Sequence, residues 1–343
     1  MADEVITGWS YFGVRNPRHV AEDLDDMSRH HANAVLMTMS EEDVAFYRDT
    51  MRDLVSLAHD RGFTVYVNPW AWGGVFGGEA FSGFLPRNLD AFQIDSEGDP
   101  VPAACFNHPR FRDSVRRWID AAAHSGADIA MWDEPHFFLY EWEPELADRK
   151  GRWTCRCAVC QEKFRELYGH AMPTERTPEV EEFRHRSIVS FLDDMTREAR
   201  ERGLKNSVCM LPPSFELDDG LLRPEDLFRL EAVDIVASDP YWGPEDDLAW
   251  VEEHYQRDGG WIVTQARRFG KQPEIWIKNF KIVRGQEPFV ERATEISYKL
   301  GIRRILAWSY LGSAYMSSLR SDDPEAVYET QARAYAKCRE GGF

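Results

Sequence analysis

The sequence predicts an α/β chain closed into a (β/α)8 barrel of the TIM type, and three observations carry that expectation. Eight short β-rich runs recur along the chain, each followed by a turn and an amphipathic helical stretch. Helical stretches such as "EEDVAFYRDTMRDLVSLAHDRG" and "PRFRDSVRRWIDAAAHSG" close on glycine, the residue that most readily takes the left-handed conformation just past a helix end. No Gly-rich phosphate loop follows the first run, which removes the usual signature of a competing doubly wound open sheet. With 343 residues and no low-complexity linker, a single catalytic barrel domain over residues 1–343 accounts for the whole chain.

The runs come in order. "VITGWSYFG" from Val5 and "FTVYVNPW" from Phe63 are short and rich in β-branched and aromatic residues, and "NAVLMTMS" from Asn33 is a short, largely apolar run. "ADIAMWDEP" from Ala127 climbs through Ile129, Ala130, Met131 and Trp132 into two adjacent carboxylates. "NSVCMLPPS" from Asn206, "VDIVASDPYW" from Val233, "EIWIKNFKI" from Glu274 and "RRILAWSYLG" from Arg303 complete the eight. Between them, the Gly-rich "GGVFGGEAFSGF" reads as a mobile wall of the barrel mouth and "EWEPELADRKG" as a solvated acidic face.

Composition narrows the partners. The hydrophobic share of 43% and aromatic share of 13% are ample for a core, while the formal net charge is -18. No block of like charge suggests a tail, so the acidity belongs to the folded surface, and nucleic acid and anionic membrane are not expected as partners. Such a surface occurs both in salt-adapted proteins and in ordinary acidic enzymes, and a homo-oligomer stays open. The N-terminal "MADEVITGWSYFG" has no basic start followed by an apolar core, and no run reaches membrane-spanning length, so a cytoplasmic protein is expected.

In a barrel the residues ending each strand line one mouth, where the chemistry sits. Those ends bring Trp9, Tyr11, Asn68, Trp70, Tyr241, Trp242, Lys278, Asn279, Trp308 and Tyr310 together with Asp133, Glu134 and Asp239. Aromatic faces stack on the C–H surfaces of sugar rings while carboxylates and amides bond the hydroxyls, so the expected partner is a small carbohydrate substrate. His136, two residues after Glu134, is placed to tune that acid or to touch substrate.

At this point the residues carry a resemblance. "WDEP" ending the fourth run resembles the Asn-Glu-Pro signature of glycoside hydrolase clan A, which implies that Glu134 is the general acid/base. "CFNHPRFR" from Cys105 and "CRCAVCQEKFRELYG" from Cys155 look like the two zinc-binding segments of the family forty-two β-galactosidases, with Cys105, Cys155, Cys157 and Cys160 matching one for one.

The metal expectation also stands without the family. A C-x-C-x-x-C cluster in a cytoplasmic protein is a poor disulfide framework, and a barrel puts Cys105 in the loop after strand three, beside the other three in the loop after strand four. Four thiolates close a tetrahedral structural Zn2+ site with no open position, so the ion is expected to brace a loop insertion around residues 137–170. Cys209 and Cys338 have no partner in sequence and read as ordinary residues.

Clan A enzymes end strand seven with a second glutamate, the nucleophile; here the comparable stretch is "IWIKNF", which places Asn279 at that position after Lys278. An amide cannot form a glycosyl-enzyme ester. Three hydrolytic chemistries remain. Glu134 is the acid while a substrate 2-acetamido oxygen is the nucleophile and Asp133 holds the acetamido N–H; or hydrolysis inverts with Asp239 as base; or Asp239 or Glu41 is an unconventional nucleophile. From other classes, the chain is a degenerate sugar-binding barrel, or an aldolase or lyase acting through Lys278. Strand alternation weighs against the last, because Lys278 faces the helices if Asn279 faces the lumen.

Overall fold

The structure, a computed structural model, describes residues 4–149 and 151–343. Its strands are β1 (Ile6–Tyr11), β2 (Ala34–Thr38), β3 (Thr64–Asn68), β4 (Phe92–Ile94), β5 (Pro100–Ala104), β6 (Ile129–Asp133), β7 (Lys205–Met210), β8 (Ile235–Ser238), β9 (Gln272–Lys278) and β10 (Arg304–Trp308). All but β4 and β5 pair in parallel and close in the order β1-β2-β3-β6-β7-β8-β9-β10, with β10 returning to β1. Each of the eight expected runs coincides with one barrel strand, β7 beginning one residue and β9 two residues before its run, so the chain is a (β/α)8 barrel. β4 and β5 form a separate antiparallel hairpin in the loop after β3.

Helices α1 (Pro17–Arg29), α2 (Glu41–Phe46), α3 (Arg48–His59), α4 (Pro109–Ser125), α5 (Ala158–Tyr168), α6 (Pro178–Glu201), α7 (Glu225–Phe228), α8 (Leu248–Phe269), α9 (Glu287–Lys299) and α10 (Pro324–Glu340) cover the barrel. Side chains that satisfy otherwise orphaned amides set the starts of three of the longer ones: Thr177 opens α6, Asp247 opens α8 and Asp323 opens α10. No helix among the described residues is long and apolar enough to cross a membrane.

Two cores follow from strand alternation. The inner one fills the barrel with Leu36, Tyr66, Met131, Trp276 and Leu306, and the outer one, including Val35, Val67, Trp132 and Ile277, packs between sheet and helices. A Cβ at Gly8 would meet the Ala34 carbonyl oxygen at 1.9 Å, so only glycine lets β1 lie this close to β2. At the chain-start end the fully buried Glu274 accepts from Tyr66 Oη at 2.7 Å and Ser207 Oγ at 3.0 Å, and pairs with Arg304 at 3.4 Å. A buried carboxylate is tolerable when paired and hydrogen-bonded in this way.

Candidate active site

The strand ends at the opposite rim enclose a cavity of about 420 Å³. β6 brings Met131 and Asp133 into it because residues two apart share a face, and Glu134 follows at the strand's exit. Glu134 has a φ of 42°, a left-handed backbone that costs a non-glycine residue about 1 kcal/mol. Its amide donates to the Cys209 carbonyl at 3.0 Å and its own carbonyl accepts from His136 Nδ1. Strain at this position is stored where the carboxyl is aimed inward.

Three carboxyls meet on the cavity floor. Asp133 is 7% exposed and Asp239 4%, and the Glu134 and Asp239 carboxyls are hydrogen-bonded to each other. Burial pushes all three above the usual carboxylate range. The negative charge of Glu134 raises Asp133 and Asp239 further, while the Asn68 amide, 3.2 Å from Asp133 Oδ2, opposes the shift there. Two acids in hydrogen-bond contact ionise as a unit, so the pair keeps a proton above the usual carboxylate range. The loop after β3 closes the cavity from above: a Cβ at Gly77 would lie 2.9 Å from Glu134 Oε2, and one at Gly78 would strike the Trp70 ring at 1.9 Å.

Strand parity sorts the expected mouth residues. Asn68, Trp70, Tyr241 and Trp308 face the lumen, and Tyr241 and Trp308 line the cavity itself. Trp9, Tyr11, Trp242 and Tyr310 do not: they belong to the outer core against the helices, with Tyr11 Oη on Asp23 of α1, Tyr310 Oη on Asp26 of α1 and Trp242 Nε1 on Gln286. His136 is buried behind Glu134, and burial lowers it to about 4, so it is a neutral prop for the loop.

The strand-seven expectation is corrected in the same way. Glu274, Trp276 and Lys278 of β9 form the inward set, so Asn279 points outward. Asn279 is fully buried, accepting from Trp9 Nε1 at 3.1 Å and donating to Gln331 Oε1 of α10 at 3.2 Å. Lys278 therefore holds the inward position. Its ammonium donates to the Trp242 carbonyl and sits over the Trp242 and Phe280 rings, and burial lowers it to about 8. It does not line the cavity.

Residues that the sequence reading missed complete the wall: Glu79, Trp142, Trp276, Phe280 and Lys281. Glu79 had a signal, as the one carboxylate in a Gly-rich loop. The residue is exposed, but its carboxyl turns in among the cavity walls, where lost hydration raises its pKa and Glu134 adds to the shift. A larger hollow of about 610 Å³ opens at the other end of the barrel. There Arg200 pairs with Asp234 and Lys271 with the Leu230 and Val233 carbonyls, so its charges are largely spent on each other.

The second constellation is sulfur. Cys105 directly follows β5, Cys155 and Cys157 precede α5, and Cys160 lies in its first turn. All four are buried, and their Sγ atoms lie within 4.8 Å of one another, with Cys105 to Cys160 at 3.4 Å and Cys105 to Cys157 at 3.5 Å. These separations exceed the ~2.05 Å of a disulfide and approach the ~3.8 Å between thiolates around a tetrahedral ion with ~2.3 Å bonds. Asn107 Nδ2 lies 3.4 Å from Cys160 Sγ and supplies a donor to it. The four thiols fit a metal ion.

No family model matches the chain, and no curated protein does. Solved structures do resemble it. The catalytic domain of a β-amylase from Paenibacillus polymyxa superposes with a TM-score of 0.67 at 10% identity, covering 97% of this chain and 99% of that one. An endo-β-1,4-mannanase from Thermotoga petrophila gives 0.60 at 11% identity over 99% of this chain and 78% of that one. An endo-1,4-β-mannanase from Rhizomucor miehei gives 0.59 at 10% over 97% and 95%. These likenesses establish the fold. D-psicose 3-epimerase from Clostridium cellulolyticum, at 0.51 and 9% over 98% of each chain, shares it too.

Proposed function

We propose that this chain is a glycoside hydrolase in which Glu134 is the general acid/base. The observation that carries the reading is the carboxyl trio of Asp133, Glu134 and Asp239 on the floor of a cavity walled by Trp142, Tyr241, Trp276 and Trp308. A raised pKa keeps a carboxyl protonated near neutrality, where it can protonate a departing glycosidic oxygen. The aromatic wall suits a sugar ring. Glycosidases among the fold neighbours are consistent with this but do not carry it, since the barrel hosts many chemistries.

Within that reading the substrate-assisted route fits best. Asp133 takes the N–H of a 2-acetamido group and stabilises the positive charge that grows as the acetamido oxygen attacks the anomeric carbon, while Glu134 protonates the leaving oxygen and later deprotonates water. Asp239, hydrogen-bonded to Glu134, then serves to hold and tune the acid. An inverting pair needs carboxyls about 6.5–9.5 Å apart to seat a water, and hydrogen-bond contact between Glu134 and Asp239 disfavours that role for Asp239. A lyase through Lys278 is disfavoured as well, because its amine is turned away from the cavity.

Zinc is the ion proposed for Cys105, Cys155, Cys157 and Cys160, since four thiolates match its preference for soft tetrahedral sites. Bound there it would tie the loop after β3 to the loop after β6 without touching substrate. The decisive experiment is a panel of aryl glycosides that includes N-acetylhexosaminides, with proton NMR of the first-formed anomer. Turnover of acetamido sugars with retained configuration supports the reading. Efficient hydrolysis of plain glucosides or galactosides with inversion overturns the substrate-assisted route, and no turnover on any sugar overturns the enzyme assignment.

A further inference from the structure

Trp142 differs from the other aromatic residues of the cavity. Trp276 and Trp308 are buried in the cavity wall, whereas Trp142 lines the same cavity at 45% exposure. Half of its surface stays in water, so burial does not account for its placement. Its backbone is nonetheless anchored. Tyr140, two residues earlier, donates to Asp95 Oδ2 at 2.9 Å, and Arg152 pairs with the same oxygen at 2.9 Å. The indole stands edge-on to the His136 ring, centroids 4.9 Å apart at 68°. His136 in turn holds the backbone carbonyl of Glu134. Trp142 is thus a half-wet aromatic face fixed one ring beyond the proposed acid.

A general acid must lie beside the oxygen that leaves, so a surface adjoining Glu134 on the rim meets the departing part of the substrate, while the reacting sugar sits lower against Trp276 and Trp308. Resting on the glycosidase reading, we propose that Trp142 is the stacking platform for the sugar unit on the leaving-group side, and that the natural substrate is therefore an oligosaccharide of at least two units.

The test is calorimetric binding of chito-, manno-, cello- and galacto-oligosaccharides of increasing length to the wild-type protein, W142A and W142F, alongside turnover of the same series. For one series, lengthening the chain beyond a single unit should tighten wild-type binding about tenfold, the scale of a well-placed aromatic contact. W142A should lose that gain, and W142F should keep most of it; thermal unfolding checks that both variants keep the fold. A length effect that survives W142A overturns the assignment, as does equal affinity at all lengths or no binding by any series. Hydrolysis of single-sugar glycosides with no length effect sinks the platform alone. Length-dependent binding through Trp142 without any turnover retains the platform and sinks the hydrolase reading.

Discussion

Replacing Asp133 with asparagine removes one charge from the cavity floor while keeping the side-chain shape and an oxygen for the Asn68 amide to bond. In the substrate-assisted route, that charge faces a cation that exists only as the transition state is approached. Unit charges about 4 Å apart attract by about 4 kcal/mol in partly hydrated protein, and each ~1.36 kcal/mol is tenfold in rate. At 7% exposure Asp133 belongs to that regime. Removing one electrostatic stabiliser of a transition state typically costs about 10²-fold or more in kcat, and a loss of that size is expected here; burial and the Glu134 charge raise the Asp133 pKa. Because the charged form is the useful one and its pKa is raised, wild-type activity should climb with pH through a range above the ordinary carboxylate value. Asp133→Asn should lose that limb. The assay is kcat and KM across pH on an N-acetylhexosaminide and on the matching sugar with a 2-hydroxyl. A loss confined to the acetamido substrate supports the reasoning; equal losses on both substrates, or none, refute it.

Glu134→Gln should nearly abolish turnover of glycosides with poor leaving groups and spare much of the rate on dinitrophenyl glycosides, which depart without a proton; equal losses on both would remove Glu134 from the acid's role. Purified protein should contain close to one zinc per chain, and Cys157→Ser should lower both metal content and thermal stability; metal analysis finding no zinc in non-chelated protein, or disulfides among the four cysteines, sinks the site. Asp219, raised to about 6 chiefly by burial, penalises the fold only when ionised, so stability should fall as pH rises from about 4 to above 6. Asp219→Asn keeps an oxygen for the Leu221 amide, which now bonds at 2.8 Å. It should stabilise the protein by up to about 3 kcal/mol at pH 8 and by little at pH 4 in denaturant titrations; an equal effect at both values contradicts the burial argument.

The eight strands were legible because each is a compact β-rich run punctuated by turn residues, and the helices because their ends carry caps and glycines. The sulfur cluster was legible because three of its four members are close in sequence and barrel geometry supplies the fourth. What the sequence hid was parity at the strand exits. Strands covered on both faces are apolar on both, so aromatics fall on inward and outward positions alike: Trp9 and Tyr11 face out, while Phe12 faces in. A shift of one residue reverses every side chain, and composition does not reveal it. The β4–β5 hairpin was missed for a related reason. Its strands are three and five residues long, and Pro100 and Pro102 disguise the second.

Parity also determines what chemistry the barrel can perform. Glu274 is fixed inside by Tyr66, Ser207 and Arg304, three partners on three other strands, and a strand pinned at one inward residue must turn every second residue inward to its end. From Glu274 the inward series runs through Trp276 to Lys278, and the outward Asn279 is locked by Trp9 and Gln331. Replacing Asn279 with a carboxylate would therefore place a charge between sheet and helices and supply no nucleophile to the cavity. Replacing Lys278 would put an acid at the inward position, but behind Phe280 and against the Trp242 carbonyl. Under the proposed hydrolase reading, the nucleophile or stabilising charge comes from a carboxyl that lines the cavity, Asp133, Glu134 and Asp239 at the exits of β6 and β8 or Glu79 in the loop after β3, or from the substrate. Since Glu134 and Asp239 are engaged with each other, Asp133, held by the Asn68 amide at Oδ2 alone, is the one of the three at the strand exits with an oxygen to offer a substrate group. Under that hydrolase reading, the substrate's own acetamido oxygen is therefore the nucleophile that this arrangement of acids best serves.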